Sequence, residues 1–231
     1  MTVHPAVALG LAYASGSVPA AFLAGKWRGV DLRSHGSGNL GATNVLRVLG
    51  PRVGAAVFAV DAAKGALPVY FIAPMTGMTG DGLTLLQVGC GVAAILGHAR
   101  PMFLGFRKGG KGVATACGVF LALAPLQAAV ALLTFAVVVG LSGYVSLASI
   151  SGAVALPLVL GAQLGMQSPL VAVGILTLAF VLWTHRENIK RLRAGTEYQF
   201  SRSAGLGQGA SVAVGAVVLA AAMALLAMRA G

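Results

Sequence analysis

From Val113 to Thr184 the chain runs 72 residues without one Lys, Arg, Asp, Glu or His. Soluble domains draw about a quarter of their residues from the charged types, so such a run belongs in lipid. There it must form helices of about 20 residues, which satisfy their own backbone hydrogen bonds. The rest of the chain agrees, with 58% hydrophobic residues, 9% charged and a mean hydropathy of +0.88. A length of 231 residues gives about seven or eight spans with short loops, read as one all-α membrane bundle.

The net charge of +11 is gathered into three clusters. Residues 26 to 52 hold five basic residues, residues 99 to 112 hold four and residues 185 to 206 hold five, leaving Lys64 and Arg229 elsewhere. Aromatic residues do not interleave with them as in a nucleic-acid-binding stripe, so no nucleic-acid partner is expected. The positive-inside rule instead places all three clusters in the cytoplasm and the N-terminus and the "MTGMTG" turn outside. Both ends of the uncharged run then return to the cytoplasm, so it crosses an even number of times. Two crossings take about 36 residues each and four take about 18 each. Breakers favour four: Pro125 in "APLQ", "GLSG" at 140 to 143, and "GMQSP" ending at Pro169. The spans predicted are 4–25, 53–74, 82–98, 112–124, 126–141, 144–164, 168–185 and 207–228. The run "VALGLAYASGSVPAAFLAG" contains a small-residue "AYA" such as leader cleavage uses, but no Lys or Arg precedes it, and it is read as a retained span. Cys90 and Cys117 each lie inside an apolar segment and read as packing residues.

Two glycine-rich loops break this pattern. "GSGNLG" at 36–41 matches the dinucleotide fingerprint and "GFRKGGK" at 105–111 most of a P-loop, yet both fingerprints require a preceding strand, and here a membrane helix precedes. What survives is their shared physics. Glycine turns leave backbone N–H groups unhindered, and a helix N-terminus aims several of them at an anion. The first loop enters "LGATNVLRVL", a short helix stopped by Gly50 and Pro51, on which Thr43 and Arg47 share a face at i and i+4. The second enters "VATACGVFLALA" beside Lys108 and Lys111. Each loop alone reads equally as a solvated basic loop. In "WTHRENIKRLRAGTE", His185, Asn188, Ile189 and Leu192 fall on one helical stripe, which lets the polar pair face inward.

"SGNLGATNVLRVLG", "GHARPMFLGFRKGGKGVAT" and "HRENIKRLRAGTE", with "DAAKG" and "YVSLAS", resemble in order and spacing the bacterial acyl-phosphate:glycerol-3-phosphate acyltransferase family (PlsY) over residues 16 to 198. The resemblance implies an integral membrane enzyme of phospholipid synthesis with seven membrane helices and three cytoplasmic motifs. On that pattern residues 1–206 form the acyltransferase domain and 207–231 an additional C-terminal transmembrane segment. The implied reaction moves a fatty acyl group from acyl phosphate to the 1-hydroxyl of glycerol 3-phosphate, giving lysophosphatidic acid and inorganic phosphate. Partners implied are acyl phosphate, glycerol 3-phosphate, membrane lipids and an upstream acyl-phosphate-forming enzyme, at the bacterial cytoplasmic (inner) membrane.

The family's functional residues carry over to Ser37 and Arg47 in the first motif, with Gly38, Asn39 and Thr43 as further ligands. Lys108, Gly109, Gly110, Lys111 and Gly112 resemble the glycerol-3-phosphate site, and His185 and Asn188 are the essential pair of the third motif. Glu187 reads as structural. Ser149 reads either as a ligand or as an interhelical hydrogen bond. Ser37, Arg47, Lys111, His185 and Asn188 form the expected catalytic set. Asp61 and Lys64, at i and i+3 inside the second span, either pair with each other or touch substrate; a central charge costs about 2.5 to 3.5 kcal/mol on insertion scales, which favours pairing.

An activated donor needs no acyl-enzyme. The proton of the attacking hydroxyl goes to His185 or to a donor phosphate oxygen, and Ser37 as an acylated nucleophile is a third route. No cofactor is expected, nor a metal, since five carboxylates and four histidines are spread along the chain without ligand spacing. A transporter of phosphorylated solutes uses similar broken helices and basic vestibules; it would also place its site near the midplane and show internal symmetry, and no repeat is visible. Acyltransferases with Asp five residues after His do not fit, because Leu40, Phe103 and Lys190 hold that place after His35, His98 and His185.

Overall fold

The computed structural model describes residues 2–200, and among them all regular structure is helical. They divide into two compact units at Ala124–Pro125, a division the single-bundle reading does not anticipate. The expected span at 207–228 and the boundary at 206/207 lie outside the described residues.

The first unit opens with α1 (Pro5–Gly16) and α2 (Ala20–Trp27). His4 caps α1, its Nδ1 accepting from Ala6 N–H at 3.2 Å, and Pro5 at the first helical position needs no donor. Pro19 cannot donate to the helical ladder, and the chain breaks at 17–19 before continuing. Helix α3 (Ala42–Leu49) ends at Gly50, whose φ of 88° suits glycine, and Pro51 then opens α4 (Pro51–Leu67). A π turn at Pro68–Ile72 and a 3-10 turn at Ala73–Thr76 extend α4 to the next loop, and α5 (Gly80–Ala99) returns to a 3-10 turn at Met102–Leu104. Helix α6 (Val113–Leu123) stops where Pro125 bars its predecessor from helical geometry.

Small residues bring these helices together. Gly16 lies against the backbone of Ala94, joining α1 to α5; Gly65 lies against Thr115 and Gly118 against Ala62, joining α4 to α6. A side chain at any of the three would overlap its neighbour's backbone, the close approach by which membrane helices associate. Ala8, Ala12, Ala73, Leu86 and Cys90 form one apolar cluster, and Ala21, Leu32, Leu40, Val45 and Val57 form another beneath the first motif.

The second unit contains α7 (Pro125–Ser142), α8 (Val145–Leu164), α9 (Pro169–Thr184) and α10 (Arg186–Arg193). Gly152 of α8 faces Ala131 of α7, and Gly174 of α9 faces Pro157 of α8. Ser168 caps α9, and the chain bends by 61° at His185 between α9 and α10.

The uncharged run thus yields four helices, α6 to α9, separated at the expected breakers. They differ in length. Five segments are long and apolar enough to cross a membrane: Pro5–Trp27, Pro51–Thr76, Gly80–Leu104, Pro125–Ser142 and Val145–Leu164, with the bent α9–α10 pair as a sixth. Helix α6 has 11 residues, about 16 Å of rise against a core of about 30 Å. Length and composition support five or six crossings, against the seven expected within residues 4–185.

Candidate active site

The first motif is organised by Asn44, 1% exposed on α3. Its Oδ1 accepts from Ser37 N–H at 2.8 Å, and its Nδ2 donates to the carbonyls of Leu32 at 3.1 Å and His35 at 3.0 Å. One amide therefore fixes the loop at three points. Gly36 (φ 61°) and Gly38 (φ 67°) supply its left-handed turns, and a side chain on Gly36 would strike Asn44 Oδ1. The result exposes Ser37 at the turn, leaves Thr43 exposed on α3 and holds Arg47 half-buried, its stem passing Gly36. Asn39 Oδ1 is buried with no hydrogen-bond partner, an acceptor suited to a hydroxyl donor. The motif scan does not single out Asn44, because nothing local shows that its amide is turned back onto the loop.

The second motif folds against the end of α5. Gly109 N–H donates to Ala99 O at 2.9 Å and Gly110 N–H to His98 O at 3.2 Å. These two amides are committed within the chain, which leaves the amides at the start of α6 and the neighbouring Lys111 as the candidate anion contacts. Gly112 takes φ 81° as the residue before α6, Lys108 is exposed and Lys111 half-buried. Gly110 fits between the His98 imidazole and the Leu40 carbonyl of the first motif, so the two motifs meet there.

Beneath them lies an ionic cluster. Asp61 and Lys64 pair as expected, with Lys64 Nζ 2.7 Å from Asp61 Oδ1 and donating to Val18 O at 2.8 Å. The α1–α2 break is thereby tied to α4. His98 also joins the cluster, its Nδ1 3.5 Å from Asp61 Oδ1, a partner 37 positions away that no spacing rule reveals.

The third motif belongs to the second unit. His185 and Asn188 are buried, and Ile189 and Leu192 half-buried, so the predicted stripe faces inward. His185 Nδ1 lies 2.8 Å from Val181 O, a contact that calls for a proton on Nδ1. Glu197 joins the motif to α8. Its Oε1 accepts from Asn188 Nδ2 at 2.7 Å and Ser146 Oγ at 2.9 Å, and its Oε2 from Arg191 Nε at 2.7 Å. Burial pushes the Glu197 carboxyl upward, but these hydrogen bonds outweigh it and hold it below the ordinary value.

Glu187 is exposed and pairs with Lys190 at 3.2 Å; Glu197 is the carboxylate with the structural position. Ser149 donates to Val145 O one turn back at 2.8 Å, a bond within α8 rather than the interhelical one that was an alternative to a ligand role. The sequence held one clue to Glu197: a carboxylate in a lipid-embedded chain with five of them must find donors.

A family model described as glycerol-3-phosphate acyltransferase matches residues 6–195. A glycerol-3-phosphate acyltransferase of Geobacter metallireducens is 52% identical over 189 residues, covering 82% of this chain and 94% of the relative, and one of Geobacter sulfurreducens is 45% identical over 190 residues with the same coverage. Among solved structures, the glycerol 3-phosphate form of PlsY (YgiH), an integral membrane glycerol 3-phosphate acyltransferase, is 38% identical with a TM-score of 0.78, covering 86% of this chain and 96% of that one. Its lysophosphatidic acid form is 36% identical with a TM-score of 0.75, covering 90% and 98%.

Proposed function

The chain belongs to the glycerol-3-phosphate acyltransferase family, and from that premise we propose that it moves a fatty acyl group from acyl phosphate to the 1-hydroxyl of sn-glycerol 3-phosphate. The observation that carries the reading is the meeting of two glycine-rich, basic motifs at Gly110 in the first unit. Both substrates bear a phosphate, and each motif offers a cation beside a glycine turn. No relative supports the transporter reading.

The hydroxyl oxygen attacks the acyl carbonyl carbon, and the bond from that carbon to the phosphate oxygen breaks. Inorganic phosphate departs as lysophosphatidic acid forms. The hydroxyl proton passes to a phosphate oxygen of the donor, with His185 as the alternative base. Arg47 and Ser37 bind the phosphate of the donor, with Gly38 and Thr43 as further ligands and Asn39 Oδ1 accepting from a substrate hydroxyl. Lys111, with Lys108 and the Gly109–Gly112 turn, holds glycerol 3-phosphate. Charge building on the leaving phosphate is thus met by fixed cations and backbone dipoles. His185 and Asn188 are needed for turnover, and Ser149 is a further ligand of the third-motif unit. The basic clusters support a site on the cytoplasmic side of the bacterial inner membrane, and a separate acyl-phosphate-forming enzyme supplies the donor.

Phosphate release by the purified protein tests this. Palmitoyl phosphate should give phosphate only when glycerol 3-phosphate is present, in excess EDTA as well as without it. In this reading Arg47, Lys108 and Lys111 meet the phosphate charge without a metal. Palmitoyl-CoA at the same concentration should give little product, because the short loops offer no adenine or pantetheine site. Preference for the CoA ester, loss on chelation reversed by Mg²⁺, or solute flux in sealed vesicles without turnover would each overturn the proposal.

A further inference from the structure

Asp61 and Lys64 form an ion pair in which the ammonium has Val18 O as a second acceptor, while Asp61 Oδ2 is buried without a hydrogen-bond partner. His98 is 5% exposed and turns Nδ1 toward Asp61 Oδ1, 3.5 Å away. That contact orients the ring and favours the tautomer with its proton on Nδ1. The opposite edge, Nε2, is laid against Gly110, where a methyl group would overlap it, and the backbone oxygen of the same residue accepts from Gly110 N–H. His98 therefore grips Gly110 twice, by ring and by carbonyl, one residue before Lys111.

The space around this contact decides what His98 does. A cavity bordered by Leu40, Asp61, Lys64, His98, Gly109 and Gly110 measures about 10 Å³, room for about one water. The neighbour the imidazole meets on that side is Gly110, so it acts through the turn.

We propose that His98, oriented by Asp61, is a positioning residue whose imidazole sets the place of Gly110 and hence of Lys111 and the start of α6. This deepens the reading above and rests on its assignment of the second motif to glycerol 3-phosphate. It also gives the family-type "DAAKG" segment a task beyond neutralising its own charges. The segment holds the base plate on which the glycine turn is laid.

The test is steady-state kinetics of the full chain in vesicles, with palmitoyl phosphate and glycerol 3-phosphate, for wild type, His98→Ala, His98→Gln, Gly110→Ala and the double variant His98→Ala/Gly110→Ala. A misplaced turn loosens one substrate, so His98→Ala should raise KM for glycerol 3-phosphate about tenfold and leave KM for palmitoyl phosphate within about twofold. His98→Gln, which keeps a polar planar group of similar reach, should recover most of that loss. Gly110→Ala should lower kcat/KM by more than about tenfold, and removing the ring it strikes should restore about threefold or more in the double variant. Should His98→Ala not fold, His98→Ser alone and with Gly110→Ala makes the same comparison. Unchanged KM values in a folded His98 variant, equal shifts for both substrates, or losses that simply multiply in the double variant would overturn the positioning role. An inactive wild type would overturn the acyltransferase reading instead.

Discussion

Arg47 and Arg28 carry the same charge in the same unit and differ in surroundings. Arg28 is exposed, its guanidinium stacked 4.5 Å over the Trp27 ring. Arg47 is half-buried on α3 behind a turn fixed by Asn44. A guanidinium grips phosphate through two parallel N–H donors that an ammonium lacks. Arg47→Lys should therefore lower kcat/KM by about 10- to 100-fold, the loss of a charge-assisted hydrogen bond worth about 1.5–3 kcal/mol. Arg28→Lys should stay within about twofold, as a surface change does. Equal losses, measured by phosphate release, would mean that bulk positive charge draws the anions. At this scale the sequence shows which residues can do chemistry but not which ones hold them. Ser37, Arg47 and Lys111 stand out by motif, while Asn44, His98 and Glu197 act on partners up to 51 positions away. Spacing along the chain does not encode those contacts.

Helix α10 depends on one carboxylate for its attachment to α8. Glu197 takes donors from Asn188 and Arg191 on α10 and from Ser146 on α8. Its native pKa is depressed below the ordinary 4.5. A carboxyl depressed by folding stabilises the native state above its unfolded pKa, and that contribution fades as pH falls through the native value. Thermal stability in detergent should therefore drop on acidification below about pH 4.5. Glu197→Gln should remove that part of the pH dependence and cost about 1–3 kcal/mol at neutral pH, since buried donors are left poorly paired. A variant as stable as wild type at neutral pH would show that the cluster is not what holds α10. Among the elements, helix limits were legible within about two residues at Gly50, Pro125 and Ser168, whereas the break at 17–19 fell inside the expected span 4–25 and was missed. The shortness of α6 was legible, its expected limits of 112–124 lying one residue from the observed Val113–Leu123. Its apolar run continues through Ala124 into α7, and only the break before Pro125 shows that 11 residues rather than a full span precede it. The contacts of Gly65 and Gly118, which seat α6 on α4, were hidden among 33 glycines.

The chain as a whole carries 16 basic residues against five acidic ones, and their placement serves two ends. Clusters at the ends of spans set orientation during insertion, because Lys and Arg are retained on the cytoplasmic side. Two of the clusters flank the glycine turns of the first unit, so the residues proposed to set topology are also those proposed to attract the two phosphates. In the first unit this has a definite geometry. The segments Pro5–Trp27, Pro51–Thr76 and Gly80–Leu104 are each long enough to cross, and the loops between them alternate: basic at 28–50, uncharged at 77–79, basic again at 105–112. If both basic loops are cytoplasmic, the turn between α4 and α5 faces outward. Single cysteines at Ser34 and at Phe106, in a background with Cys90 and Cys117 replaced, should resist an impermeant thiol reagent applied to intact cells and react once the membrane is opened. A cysteine at Thr79 should react from outside at once. Labelling of the Ser34 site in intact cells would put the first motif on the wrong face for substrates made in the cytoplasm, and the proposed cytoplasmic orientation would fall with it.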